Sequence, residues 1–380
     1  MSKPIIHLRA ETKPLEHRSA LTPTTAKALI EAGYEIRVEK NPKDFKFARY
    51  FEDKEFESAG CSLVETGSWK EASTDVIILG LKEIEEGDSP LKHTFVHFQH
   101  CYKGQGGWAE ALSRYPRGNG TLLDLEFLQH ENGRRVAAFG YHAGFAGAAL
   151  ALEVWAWQLT RPNESFPSVE SYPNETVLIG DVKKALSEGQ AKTGKLPRVI
   201  VIGALGRCGS GAVDMCLKAG IPEENVLKWD IAETKKGGPF PEIAQSDIFV
   251  NCIYLNQPVG HFVNIDSLKA EAQRNLSVVC DVSADTTNPH NPVPIYTVAT
   301  TFDKPTVPVE GFSNPPISVI SIDHLPSLLP RESSEAFSND LLPTLLELKN
   351  WRENPVLARA EKLFKEKVAT LPAESLENKA

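Results

Sequence analysis

Short apolar runs, rich in β-branched residues, recur along the chain and alternate with longer segments that have helical spacing. They lie at 4–9, 34–39, 75–80, 94–100, 121–126, 199–202, 225–230, 248–253, 276–281 and 317–322. Runs that are apolar throughout are typical of strands buried on both faces, as in parallel sheets. Because these runs alternate with helices, the pattern predicts an α/β fold with parallel sheets whose faces are covered.

The helical segments carry their own boundary signals. Thr22 or Thr24 can cap a helix that has Pro23 near its first turn and ends at Gly33. A stretch rich in alanine and glycine, 141–157, predicts a long helix that connects two domains. Further helices are predicted at 177–186, 212–217, 333–349 and 355–369. The last two are expected to pack against the first domain.

The bulk properties limit the class of protein. A length of 380 residues exceeds one ordinary hydrophobic core, so we expect two domains, one at 1–140 plus 331–380 and the other at 141–330. The net charge of −9 argues against a nucleic-acid partner, because phosphate contacts need a basic surface. No apolar run reaches membrane-spanning length, and neither end resembles a targeting signal. We therefore expect a cytoplasmic protein without a membrane partner.

A glycine-rich turn follows the apolar run 199–202, with glycines at 203, 206, 209 and 211. The helix after it ends near Gly220, and the next strand closes on Asp230, 21 residues after Gly209. A phosphate approaches a helix N-terminus closely only where the turn carries no side chains. A carboxylate at this spacing reaches a ribose diol and repels a 2′-phosphate, so the segment predicts a dinucleotide site that favours NAD.

Two observations keep this interpretation open. The glycine spacing departs from Gly-x-Gly-x-x-Gly, and small residues also suit a tight turn that binds no nucleotide. Lys235 and Lys236 follow Asp230 closely and could accommodate the 2′-phosphate of NADP.

Polar side chains end three predicted strands of the first domain: Lys82, His100 and Glu126. In open α/β sheets, ligands bind at this carboxyl edge. Desolvation at a buried strand end favours the neutral amine that a base needs, although a solvated lysine is the more frequent arrangement. His100 has the titration range of a proton shuttle. His97 lies on the opposite strand face, so a metal site is not expected.

Other polar residues suit binding rather than proton transfer. Several cationic side chains are candidate clamps for substrate carboxylates, because a guanidinium fork matches a carboxylate, although most arginines are simple surface charges. They are Lys13, Arg18, Arg134 and Arg135. Asp323 and His324 end a strand, where they either contact the cofactor or cap the following segment.

The six cysteines lack the spacing of a zinc site, and most are expected to be small buried residues. Cys208 lies in the glycine turn and Cys252 ends an apolar strand, so both are expected at the ligand-binding edge of the second sheet. They can meet there, although structural disulfides are uncommon in a reducing cytosol.

Seven motifs resemble those of the NAD-dependent, lysine-forming saccharopine dehydrogenases of fungi. They are residues 8–23, 80–83, 100–103, 133–140, 203–211 (Gly-Ala-Leu-Gly-Arg-Cys-Gly-Ser-Gly), 281–292 and 321–331. Their spread over nearly the whole chain makes them far more specific than the glycine turn alone. The resemblance implies oxidation of saccharopine by NAD and hydrolysis to L-lysine and 2-oxoglutarate, the last step of the α-aminoadipate route to lysine. It also implies a monomer of two Rossmann-like domains with the site in an interdomain cleft.

The resemblance assigns roles to individual residues. Lys82 is expected to take the proton of the secondary amine, and His100 to serve water addition to the imine and collapse of the carbinolamine. Expected substrate-binding residues are Lys13, Arg18, Gln105, Arg135, Phe139, Ser283, Ala284 and Asp285. NAD is expected to contact Arg134, Gly206, Arg207, Asp230, Thr234, Tyr254, Val282, Ile322, Asp323, His324 and Leu325. In this family, the cysteines matching Cys208 and Cys252 can form a disulfide beside the cofactor.

Two other functions remain open at this point. An enzyme similar to alanine dehydrogenase shares the Ala-Leu-Thr-Pro pattern with its arginine and a lysine after a strand, and it would use free ammonia; the motif at 281–292 counts against it. A catalytically silent nucleotide-binding regulator needs no proton shuttle, so the presence of both Lys82 and His100 argues against that function.

Overall fold

A computed structural model describes residues 3–104, 106–255, 257, 259–283 and 290–377. The chain forms two compact units. Unit 1 holds the described residues up to Ala138 and those from Pro330 onward, and unit 2 extends from Phe139 to Leu329. Over the described ranges, no helix combines the length and the apolar character needed to cross a membrane.

Unit 1 is built on a six-stranded sheet in which all neighbouring strands are parallel. Its strands are β1 (Ile5–Leu8), β2 (Glu35–Glu39), β3 (Ser62–Val64), β4 (Ile77–Leu79), β5 (Thr94–His97) and β6 (Thr121–Asp124). The spatial order is β3-β2-β1-β4-β5-β6, so β2 and β3 lie on one side of β1, and β4, β5 and β6 lie on the other. Ligands of open α/β sheets bind at such a switch point, beyond the carboxyl ends of the strands.

Unit 2 contains a second six-stranded sheet. Its strands are β7 (Val199–Ile202), β8 (Val226–Trp229), β9 (Ile248–Asn251), β10 (Val278–Asp281), β11 (Val307–Ser313) and β12 (Pro316–Ile320). The order is β11-β12-β10-β9-β7-β8, and only the edge strand β11 is antiparallel to its neighbour. The predicted α/β class with parallel sheets is thus confirmed, while the interdomain cleft stays a prediction. The switch point of this sheet lies between β7 and β9, and the glycine-rich turn follows β7.

Helices surround both sheets. They are α1 (Pro23–Glu31), α2 (Asp53–Ser58), α3 (Trp108–Arg117), α4 (Gly140–Thr160), α5 (Glu175–Thr193), α6 (Arg207–Lys218), α7 (Ile231–Thr234), α8 (Pro241–Gln245), α9 (Ile265–Ala270), α10 (Pro330–Leu345) and α11 (Pro355–Val368). Thr22 caps α1, as predicted, because its hydroxyl accepts the backbone N–H of Thr25. The long α4 is completely apolar through its middle and is buried.

Aromatic packing fixes β5, the strand that leads to His100. The Phe95 ring meets Trp69 and Tyr115 edge to face, with centroids 5.6 and 5.5 Å away. Tyr115 in turn packs edge-on against Phe364 of α11 at 6.1 Å. Edge-to-face pairs stabilise a core beyond the area that they bury, so the end of β5 is held rigidly.

Helices α4 and α6 approach each other backbone to backbone through glycines. A Cβ atom on Gly144 would lie 1.8 Å from the carbonyl oxygen of Cys208, and one on Gly211 would lie 1.9 Å from that of Tyr141. Only glycine allows such close approach. Because Cys208 belongs to the first turn of α6, this contact determines where the N-terminus of α6 lies.

We expect Gly144→Ala to lower the free energy of unfolding by more than about 2 kcal/mol, because backbone atoms must move to admit the new methyl group. Gly180→Ala in α5 is the matched control: its Cβ would meet nothing within 4 Å. That change should be neutral or stabilise by about 0.5–1 kcal/mol. Urea denaturation of both variants measures the difference, and equal stabilities would contradict the close approach of α4 and α6.

A half-buried carboxyl makes the stability of unit 2 depend on pH. Burial raises the pKa of Glu153 from 4.5 to about 7, although the hydroxyl of Tyr172 donates to its Oε1 at 3.3 Å. At a pH between these two pKa values, the folded chain holds a proton that the unfolded chain has released. The free energy of unfolding therefore falls as pH rises from 4.5 to about 7.

Glu153→Gln should therefore raise the melting temperature at pH 8 and leave it nearly unchanged at pH 4.5, since glutamine resembles the protonated acid. Calorimetry at the two pH values measures this. A gain confined to the lower pH would contradict the assignment.

Candidate active site

Lys82 and His100 each lie three residues beyond a strand, and the two strands, β4 and β5, are neighbours. Lys82 is 8 % exposed, whereas His100 is half-buried. Since parallel neighbours end at the same edge of a sheet, the two residues lie at the edge where ligands are expected. The structure thus places the two predicted proton-carrying groups of unit 1 on adjacent loops.

Glu83 connects these two loops, because its Oε1 is hydrogen-bonded to Nδ1 of His100. Burial opposes ionisation of Glu83, but this bond and the charges of Lys82 and His100 outweigh it and lower the pKa of Glu83 to about 2. The carboxylate keeps a proton on Nδ1, so Nε2 is the nitrogen of His100 that can exchange protons. His100 also has a left-handed backbone, with φ of 53°, which is unusual for a residue other than glycine.

His97 takes no part in this pair. Its Nδ1 is 3.0 Å from the carbonyl oxygen of Lys82, and its Nε2 is 2.8 Å from the hydroxyl of Tyr115. Burial lowers the pKa of His97 to about 3, so it remains neutral and structural. Within the described part of the chain, no cluster of three or more histidine, cysteine, aspartate or glutamate residues could hold a metal ion.

Glu126 forms ion pairs with two cationic side chains at the same carboxyl edge of the sheet. Its Oε1 accepts hydrogen bonds from Nζ of Lys103 at 2.8 Å and from the guanidinium of Arg135 at 2.5 Å. Burial opposes ionisation of Glu126, yet the bond to Lys103 and the nearby charges lower its pKa. Asp124, the last residue of β6, is more deeply buried, and burial raises its pKa to about 6. Arg135, a predicted substrate clamp, is thus oriented by Glu126.

The guanidinium of Arg18 is likewise oriented by an acid. Its Nε and one terminal nitrogen bind the two carboxylate oxygens of Glu16 at 2.8 and 2.7 Å, and both side chains are buried. Of the other predicted clamps in unit 1, Lys13 is half-buried and Arg134 is exposed.

In unit 2, the glycine turn is shaped by close backbone contacts. Gly203 has φ of 89°, and a Cβ on it would lie 2.8 Å from the side chain of Ile253. A Cβ on Gly209 would lie 2.0 Å from the carbonyl oxygen of Gly203. Gly206 is the N-cap of α6, whose first turn carries no acidic side chain. A turn whose glycines allow close backbone approach at the positive end of a helix fits the pyrophosphate of a dinucleotide.

Asp230 links the end of β8 to this turn. It caps α7, and its Oδ2 accepts the backbone N–H of Leu205 at 3.0 Å. The carboxylate is therefore where the ribose of NAD is expected. Lys236, considered for a 2′-phosphate, instead has its ammonium over the rings of Trp229 and Phe240, 5.3 and 5.6 Å from their centroids.

The remaining residues assigned to ligands are spread over unit 2. Thr234 is buried, and its hydroxyl donates to the carbonyl oxygen of Asp230 at 2.9 Å. Tyr254 is 57 % exposed beyond β9. Phe139, Arg207, Val282, Ser283 and His324 are half-buried, Ile322 and Leu325 are buried, and Asp323 is exposed. Gln105, Ala284 and Asp285 lie outside the described residues.

Cys208 and Cys252 do meet at the edge of the second sheet. Both are free thiols, and they are hydrogen-bonded to each other. That bond, together with burial, raises the pKa of Cys252. The disulfide stays a prediction.

Sequence reasoning missed the acids that orient the site: Glu11, Glu16 and Glu83. For Glu83 a signal was available, because it directly follows Lys82 in a strand-end segment. Glu16 likewise stands two residues before its partner Arg18. Glu11 instead accepts the backbone N–H groups of Leu81 and Lys82, 70 and 71 residues away, which no local pattern reveals.

One parallel sheet has Lys82 and His100 beyond its carboxyl edge, and the other has a dinucleotide-type turn. This arrangement is that of an NAD-dependent α/β dehydrogenase. Residues 7–146 match the family described as alanine dehydrogenase/PNT, N-terminal domain. An L-alanine dehydrogenase has a TM-score of 0.65 at 17 % identity, over 96 % of this chain and 99 % of that chain. A transhydrogenase of Sinorhizobium meliloti has a TM-score of 0.62 at 16 % identity, with coverages of 94 % and 97 %. At such low identity, these likenesses establish the fold alone.

Sequence relatives give the family. A saccharopine dehydrogenase [NAD(+), L-lysine-forming] of Neurospora crassa is 67 % identical over 99 % of this chain and 100 % of its own length. A protein of the same name from Yarrowia lipolytica is 62 % identical over 96 % of this chain and 98 % of its own length. One from Schizosaccharomyces pombe is 58 % identical over 98 % of this chain and 100 % of its own length. The chain belongs to the family of NAD-dependent, L-lysine-forming saccharopine dehydrogenases. This confirms the predicted family and cofactor and decides against both alternative functions.

Proposed function

We propose that this chain uses NAD to oxidise saccharopine at the carbon beside its secondary amine, and that water then releases L-lysine and 2-oxoglutarate. The reverse reductive condensation uses the same groups. This reaction is the final step of the α-aminoadipate route to lysine. The observation that carries the proposal is the pair formed by Lys82 and the Glu83-bound His100 at the ends of neighbouring strands, in a chain of this family.

Lys82 acts in the oxidation step. Its amine removes the proton from the substrate nitrogen while a hydride leaves the adjacent carbon, and a C=N bond forms between them. Bound NAD supplies the acceptor for that hydride. Because Lys82 is almost completely buried, bulk water competes little for the proton.

His100 acts in the hydrolysis steps. Its Nε2 takes a proton from the water that adds to the imine carbon, and returns a proton to nitrogen as the C–N bond of the carbinolamine breaks. The amine nitrogen leaves with lysine, and the carbon becomes the keto carbon of 2-oxoglutarate. Ionised Glu83 at Nδ1 stabilises the imidazolium that forms in between.

Substrate carboxylates are held by cations in this proposal. Arg18 is oriented by Glu16 and Arg135 by Glu126, and a guanidinium fork matches a carboxylate with two parallel N–H donors. The further substrate contacts proposed are Lys13, Gln105, Phe139, Ser283, Ala284 and Asp285.

Unit 2 is the proposed NAD-binding side, and unit 1 the substrate side. The turn at Gly206 and Arg207 would hold the pyrophosphate at the N-terminus of α6, and Asp230 the adenosine ribose. The further contacts proposed are Arg134, Thr234, Tyr254, Val282, Ile322, Asp323, His324 and Leu325.

The paired thiols of Cys208 and Cys252 suit oxidation to a disulfide, in which they pass two electrons and two protons to a disulfide oxidant such as oxidised glutathione, which is reduced to two thiols. Mass spectrometry should show the loss of two hydrogen atoms after such treatment, and no loss in Cys252→Ser.

The chain is further proposed to act as a cytoplasmic monomer on small molecules, without nucleic-acid or membrane partners. Light scattering tests whether it is a monomer.

NADH absorbance tests the reaction. Purified protein should form NADH from NAD and saccharopine, and should form little reduced cofactor when NADP replaces NAD, because Asp230 repels the 2′-phosphate. Reduction driven by alanine in place of saccharopine would overturn the proposal.

A further inference from the structure

We propose that Glu11 and Arg9 position Lys82 for proton transfer, by binding the backbone of the loop that carries it on both its N–H and its C=O side. This inference rests on the role proposed for Lys82. Both residues follow β1, which is the neighbour of β4 at the switch point of the sheet.

Glu11 binds the N–H side of the loop. Its Oε1 accepts the backbone N–H of Leu81 at 2.7 Å, and its Oε2 accepts that of Lys82 at 2.9 Å. Glu11 is 7 % exposed, so water does not replace these bonds. A carboxylate that accepts two consecutive N–H groups fixes the direction in which the chain leaves β4.

Arg9 binds the C=O side. One of its terminal nitrogens donates to the carbonyl oxygens of Lys82 and Glu83, the latter at 3.4 Å. The same nitrogen lies 3.6 Å from Oε2 of Glu11, so the two clamp residues also hold each other. Burial raises the pKa of Glu11, and the charge of Arg9 counters that rise. Arg9 therefore helps to keep Glu11 in the form that accepts both N–H groups.

Gly80 makes room for this arrangement. A Cβ on Gly80 would lie 2.4 Å from Nε and 2.8 Å from Cζ of Arg9. The guanidinium of Arg9 thus packs directly against the backbone of Gly80, two residues before Lys82, in space that any larger residue would fill. The segment that carries Lys82 has no helix or strand of its own, so these side-chain bonds replace the order that a regular element would give.

A base must lie within hydrogen-bond distance of the proton that it removes, and a displacement of about 1 Å can reduce the rate roughly 100-fold. Glutamine in place of Glu11 keeps the shape of the side chain but presents an NH₂ group to one of the two N–H groups. We therefore expect Glu11→Gln to lower kcat roughly 10- to 100-fold, with a small change in KM for saccharopine.

A double-mutant cycle separates positioning from general damage. The cost of Glu11→Gln is measured in the wild-type chain and again in a chain that already carries Lys82→Met. If Glu11 acts through Lys82, the second cost should be less than about twofold, because no base remains to be misplaced. NADH binding should be unchanged in every variant, because none of the substituted residues is a proposed NAD contact. Arg9→Lys provides a second clamp variant in case Glu11→Gln does not fold.

Glu35 and Arg37 offer a matched control within β2 of the same sheet. Nε of Arg37 lies 2.8 Å from Oε1 of Glu35, so the two residues form an ion pair. In the described contacts, neither touches the loop that carries Lys82. Glu35→Gln should leave kcat unchanged. Equal costs of Glu11→Gln with and without Lys82, or no cost at all, would overturn the proposal. Absence of saccharopine oxidation by the wild-type chain would instead refute the proposed function.

Discussion

Lys82→Met is expected to reduce kcat for saccharopine oxidation by roughly 10²–10⁴-fold, the usual contribution of a positioned general base. Methionine keeps the length and the apolar stem of lysine but cannot accept a proton. Steady-state NADH formation measures the effect.

The matched control is Lys92→Met, which removes an exposed lysine just before β5 in the same unit. It should retain wild-type kcat. NADH binding by Lys82→Met, followed by fluorescence, should also match the wild-type chain. Full activity of Lys82→Met would remove this residue from the mechanism while leaving the fold unaffected.

His100→Gln is expected to lower kcat by roughly 10²-fold or more, because the glutamine amide can donate to the carboxylate of Glu83 but cannot carry a proton between water and nitrogen. Its effect should fall on hydrolysis, so the first turnover should still form NADH while later turnovers slow. Rapid-mixing absorbance separates the two phases. A defect in the first hydride transfer alone would contradict the role given to His100.

Two other histidines of unit 1 serve as controls for this change. His130 is exposed, and among the described residues its ring forms no hydrogen bond with the site, so His130→Gln should be silent. His97 is buried and neutral, with its ring between Lys82 and Tyr115. His97→Gln should lower the melting temperature, and any change in rate should accompany that loss of stability.

The hydrophobic pattern predicted the strands that matter most for the site. The run 199–202 is strand β7 without any change of boundary, whereas the strands before Lys82 and His100 are β4 (Ile77–Leu79) and β5 (Thr94–His97), shorter than the predicted runs 75–80 and 94–100. The pattern finds these strands because strands buried on both faces are apolar throughout. Strand ends at the carboxyl edge of a sheet in turn identify candidate ligand-binding residues.

Features that depend on contacts with residues distant in sequence are missed, or predicted too short, from the hydrophobic pattern alone. Helix α5 was predicted at 177–186 but extends to Thr193, because the buried residue of its last turns is Gly189, which packs against Trp155 and adds nothing to an apolar pattern. Strand β11 lies at the sheet edge and contains Pro308, so its sequence alone does not indicate a strand. Glu11 was missed for the same reason, since it meets Leu81 and Lys82 only through the pairing of β1 with β4.

The most direct test of the central claim follows the nitrogen of saccharopine. Saccharopine that carries a heavy nitrogen isotope at its bridging amine is incubated with NAD and the wild-type chain, and the products are separated by mass spectrometry. The account predicts that all of the label is found in the side-chain amine of L-lysine, with unlabelled 2-oxoglutarate and NADH formed in equal amounts. Label in glutamate or in free ammonia would contradict it, because the C–N bond would then have been broken on the other side or the nitrogen released.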